Sequence, residues 1–101
     1  MKYKTNKLRK LEADRYSILT EDLEHCYICG EHKQDIHEIY GGRNRRISMQ
    51  NGFCVPLCRS CHSFITRDVA SDLLLKQQCQ RSFEVENSRE DFMLLIGKNY
   101  L

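Results

Sequence analysis

The residues best suited to chemistry in this 101-residue sequence are two Cys-x-x-Cys pairs, Cys26/Cys29 and Cys58/Cys61, and two histidines, His37 between the pairs and His62 directly after the second. Four thiolates in two closely spaced pairs are what a tetrahedral zinc site needs, and a zinc ion closed by four sulfurs fastens the chain rather than reacting. Disulfides are the competing use of cysteine in a short chain. The basic run MKYKTNKLRKLEADR, however, has neither the apolar region nor the small-residue cleavage site of a secretory signal, and in a reducing cytoplasm thiolate ligation is expected instead. A thiol oxidoreductase is a poorer reading, because two paired CxxC motifs with no visible βαβ pattern suit metal better than redox exchange. Cys54 and Cys79 fall outside the paired spacing and read as small apolar fillers. His25 and His32 flank the first pair and, with four cysteines available, are expected to be exposed.

The two remaining histidines point to hydrolysis. Cleaving a phosphodiester takes a base to activate water and a cation to stabilise the charge that develops on the phosphate and the departing oxygen. His37 and His62, with a neighbouring acid and an amide, are the groups for that work, but 25 positions separate them. Their meeting depends on the elements between.

Those elements read as follows. Residues 1–24 form a basic lead-in with Leu8, Leu11, Tyr16 and Leu19 near helical spacing, which predicts a short amphipathic helix. Gly30 follows Cys29 as in a zinc-knuckle turn, and the run from Asp35 to Tyr40 predicts a short strand. Gly41 and Gly42 break regularity, and RNRRISMQNG reads as an exposed arginine-rich loop closed by the turn dipeptide Asn51-Gly52. FCVPLC predicts a second strand, with Pro56 placing it at a sheet edge. A helix is expected from near His62 to about Cys79, and a last one with Ser88 as N-cap, Phe92, Leu95 and Ile96 on one face and Gly97 as its stop. Strand, loop and strand between the two zinc pairs, followed by a helix, make a ββα arrangement, in which the knuckle fastens the open ends of hairpin and helix. His37 and His62 can then converge.

CYIC, HEI, GGRNRR, NGF and PLCRSCH, in that order, resemble the four-cysteine branch of the HNH endonucleases, and in detail the small HNH-like proteins of bacteriophages and prophages. The similarity spans Cys26 to Ile65. It implies an α+β fold with a ββα-metal, treble-clef-like core and flanking helices, a zinc-stapled domain whose core covers residues 25–66 and whose C-terminal helices cover 67–101. The implied activity is metal-dependent hydrolysis of DNA, leaving a 5'-phosphate and a 3'-hydroxyl. The family's His-His or Asp-His doublet places its first member on the catalytic metal and its second as base; here the doublet is His37-Glu38. Strict register would make Glu38 the base, but an imidazole of pKa about 6.5 serves better at neutral pH than a carboxyl of about 4.3. His37 is therefore expected as the base. Glu38 or Asp35 would join His62 on a hard divalent cation, magnesium or manganese. Asn44 and Asn51 are both candidates for the family asparagine, with Asn44 favoured. Arg43, Arg45 and Arg46 would hold phosphates, guanidinium geometry suiting bidentate contact, and Arg59 extends the same basic stretch.

Composition limits the alternatives. No window approaches the roughly 18 uninterrupted apolar residues of a membrane span, so a cytoplasmic protein acting on DNA, alone or beside a partner protein, is expected. The net charge of +2 is too small to identify a nucleic-acid binder, yet from Gly41 to Arg67 there are five arginines and no acid. That segregation also suits a different class of protein, a noncatalytic zinc ribbon binding nucleic acid or protein through its arginines.

Overall fold

Four-residue strands are not stable alone, and the two among the described residues pair with each other. In the computed structural model, which describes residues 6–101, β1 (Asp35–Glu38) and β2 (Cys54–Leu57) run antiparallel, with Asp35 opposite Leu57 and His37 opposite Val55. All four β2 residues are buried. Pro56 has no N–H to give, and its carbonyl accepts from Tyr27 N at 2.8 Å, while Leu57 O accepts from Gln34 N at 3.1 Å. The first cysteine knuckle is thereby laid against β2.

Five helices surround this ribbon among the described residues: α1 (Asn6–Ala13), α2 (Arg45–Asn51), α3 (Arg59–Arg67), α4 (Val69–Phe83) and α5 (Arg89–Ile96). The fold is thus small and α+β. Lys2 and Lys4 of the basic lead-in lie outside the described residues. None of the helices is long and apolar enough to cross a membrane.

Three expectations are corrected. The lead-in helix α1 ends at Ala13, which leaves Tyr16 and Leu19 outside it. The arginine-rich segment is not a loop: a 3-10 turn at Gly42–Asn44 leads into α2, and Asn51-Gly52 is a helix end, with Gly52 as a left-handed cap at φ 73°. Tertiary bonding fixes α2, for the buried Ser48 hydroxyl donates to Tyr40 O at 2.7 Å and accepts from Tyr40 N at 3.2 Å. The helix expected over 62–79 is two helices. Asp68 ends α3 with an extended backbone and caps α4, its carboxylate accepting from Ser71 N at 3.1 Å. α5 follows its sequence punctuation, with a Ser88/Asp91 capping box and Gly97 as a left-handed C-cap.

One contiguous core joins these elements. Tyr40, Phe53, Phe83 and Phe92 contact one another, with Tyr40 and Phe92 centroids 5.4 Å apart and Phe53 and Phe83 5.5 Å apart. Cys54 and Cys79 are buried, as small apolar fillers are expected to be, and burial pushes both thiols up to about 12.

Candidate metal centre and active site

The four paired cysteines meet. Gly30 N donates to Cys26 O at 2.9 Å, and Gly30 takes φ 80°, the conformation that turns the chain back after Cys29. Cys58 is the N-cap of α3 and its sulfur accepts from Cys61 N at 3.4 Å, so the helix start presents both sulfurs of the second pair. The four sulfurs lie within 4.8 Å of one another, and Cys29 and Cys58 Sγ are 3.7 Å apart. Four thiolates at about 2.3 Å from a zinc ion would stand about 3.8 Å apart. The set can therefore hold a structural metal ion such as zinc. Burial opposes ionisation of Cys26, but the backbone N–H groups of Cys29, Cys58 and Ile28 draw its pKa down to about 6.

The hairpin and α3, held together at this corner, bring His37 and His62 to a ring separation of 5.1 Å at 60°. Asp35 stands two residues before His37 on the same strand face, and its Oδ2 is 3.1 Å from His62 Nδ1. His37 Nε2 is buried with no hydrogen-bond partner. Burial, and then the neighbouring His62, lower the pKa of His37 and favour its neutral ring. The orphaned buried ring nitrogen of His37 thus stands beside a second histidine and a carboxylate.

Asp72 and Lys76 of α4 also act on His37 electrostatically, and they pair with each other at 2.7 Å. Neither was expected from the sequence. The signal was there: Leu75 and Cys79 are the buried face of α4, and Asp72 lies on it at the i, i+3 and i+7 offsets.

Other expected site residues stand elsewhere. Strand alternation turns Glu38 away from His37 and toward α1 and α2, where it pairs with Arg15 and, at 3.6 Å, with Arg45 Nε. Glu12 joins the cluster at 3.5 Å from Arg45 and 3.7 Å from Arg15. Asn44 Nδ2 donates to Ile96 O at 3.0 Å and Asn51 Nδ2 to Ile47 O at 2.9 Å, so both amides serve the backbone. Arg43, Arg46 and Arg59 are exposed.

No family model, curated protein or solved structure matches this chain.

Proposed function

We propose that this chain is a metal-dependent endonuclease that hydrolyses phosphodiester bonds in DNA, with a ββα-metal core of HNH type. One juxtaposition carries the reading: His37 and His62, 25 residues apart in the chain, share a corner with rings 5.1 Å apart, and a carboxylate is bound to one of them. A hard divalent cation such as magnesium or manganese, when bound, supplies electrostatic stabilisation of the charge developing on the phosphate. His62 would hold it, its ring fixed by Asp35 through Nδ1. His37, kept neutral by burial, accepts a proton from the attacking water. The exposed Arg43, Arg46 and Arg59 contact flanking phosphates, and Asn44 and Asn51 act through the framework. The four cysteines hold structural zinc and take no part in the chemistry.

A second reading, a noncatalytic zinc module that binds nucleic acid or protein, draws on Glu38. The doublet's second member is held by arginines and turned from the histidines. Supercoiled plasmid in magnesium or manganese separates the two, using wild type beside His37→Ala and His62→Ala proteins that retain zinc. Nicking by wild type alone supports the endonuclease. If all three are inert while wild type still retards DNA in a gel, the noncatalytic module is the better account.

A further inference from the structure

His25 and His32 have no part in the centre described above, yet the backbone sets them face to face. Cys26 N donates to Glu31 O at 2.6 Å and Lys33 N to Glu24 O at 2.9 Å. These bonds bracket His25 and His32, which form an antiparallel bridge, as a non-hydrogen-bonded pair. That is the register in which opposed side chains stand closest on a shared face. The two rings are 6.2 Å apart between centroids and meet edge to face at 88°. Both residues are exposed, so each ring turns about its side-chain bonds without disturbing a packed neighbour.

The third member is Asp22, whose Oδ2 lies 2.9 Å from His25 Nδ1. Glu24 N donates to the other carboxylate oxygen, Oδ1, at 2.8 Å, which leaves Oδ2 as the acceptor for an Nδ1–H. That bond selects the tautomer with the lone pair on Nε2, and histidines at metal sites are commonly oriented in this way by a carboxylate. The neighbouring four-sulfur set is complete without either ring.

We infer that His25 and His32, with Asp22 behind His25, form a second metal site for a borderline divalent cation of the zinc, nickel and copper class. Imidazole ligands suit these ions. Two protein ligands with water completing the shell hold an ion in exchange with solvent, unlike the four-thiolate centre. The site is independent of whether the chain cuts DNA.

Zinc-loaded protein, its zinc content fixed by elemental analysis, is titrated with nickel by calorimetry. His25→Ala/His32→Ala and His37→Ala/His62→Ala proteins are titrated beside it. A single nickel ion should bind the wild type and the His37/His62 variant, and this binding should vanish in the His25/His32 variant. Asp22→Asn should weaken it roughly 10–100-fold. On folded wild type, substoichiometric copper should broaden the His25 and His32 ring resonances first, a readout that needs no variant. Nickel that fails to bind, that binds only through His37 and His62, or that merely displaces zinc from the cysteines would overturn the assignment.

Discussion

Replacing Asp35 by Asn tests whether the His62 ring is positioned for chemistry or merely packed. Asp35 Oδ2 is 3.1 Å from His62 Nδ1, and the change keeps the side chain's shape while removing its charge. A hydrogen bond to an ionised acceptor is roughly twice as strong as a neutral one. Loss of such support behind a metal-bound histidine costs about 10–100-fold in cation affinity or activity, or about 1.4–2.7 kcal/mol. Stability should respond far less. The two side chains are 32% and 34% exposed, so solvent screens the pair and its contribution is about 0–1 kcal/mol, against about 5–15 kcal/mol for a domain. The assay is the initial rate of plasmid nicking as magnesium is varied, run beside urea denaturation and zinc analysis. Asp35→Asn should need more magnesium for half-maximal rate and lose one to two decades at low magnesium, with the urea midpoint nearly unmoved. Unchanged magnesium dependence would refute the positioning argument, as would a rate loss that tracks lost stability.

Removing zinc with a chelator, or substituting Cys58→Ser, should unfold the corner and abolish every activity together, since structural zinc contributes about 10–16 kcal/mol of binding free energy in small domains; circular dichroism follows the loss, and magnesium should not restore it. Gly52→Ala should destabilise by about 1–2 kcal/mol from its φ of 73° alone. The new Cβ would also stand 2.5 Å from the Tyr16 ring, forcing that ring to swing from its 3.0 Å bond to Gln50 O, which urea denaturation and Tyr16 resonances would register. Asp68→Asn should leave stability at pH 7 almost unchanged, because both residues cap helices well. Bonds from the Ser71 hydroxyl and N–H hold the Asp68 carboxyl below its ordinary 3.8. Its contribution is therefore complete above pH 3.8 and lost as pH falls through the lowered folded value. Denaturation midpoints from pH 5 to 2.5 should fall less steeply in the Asn protein.

The parts of this chain that were legible in sequence are those with local causes. Ser88, Asp91 and Gly97 mark both ends of α5 because capping is satisfied within one turn. The CxxC pairs announce the four-sulfur cluster because two residues between cysteines suit a knuckle or a helix start. What was not legible has distant causes. Nothing local says that Ser48 bonds both polar groups of the Tyr40 backbone, and without that bond RNRRISMQN, set between glycines, resembles a loop. The break at Asp68 sits inside an apolar periodicity that continues across it, and only the Asp68-to-Ser71 cap interrupts the helix. Asp72 was readable as a charge on the inward face of α4, but only once the helix had been given its true start.

Glu38 shows how one strand divides its labour. Adjacent residues on β1 face opposite sides, so His37 turns to α3 and α4 while Glu38 turns to α1 and α2. A side chain only 13% exposed and paired with two guanidiniums would have to break those contacts before it could take a proton from water. Doing so would leave Arg15 and Arg45 beside Glu12 with one carboxylate fewer than the cluster now holds. Within the proposed reaction the base therefore falls to His37, whose ring is neutral by burial and whose Nε2 has no partner to give up. The same contact draws Arg45 toward Glu38 and Glu12, so within the proposed reaction phosphate contact falls to the exposed Arg43, Arg46 and Arg59 rather than to the whole row of arginines.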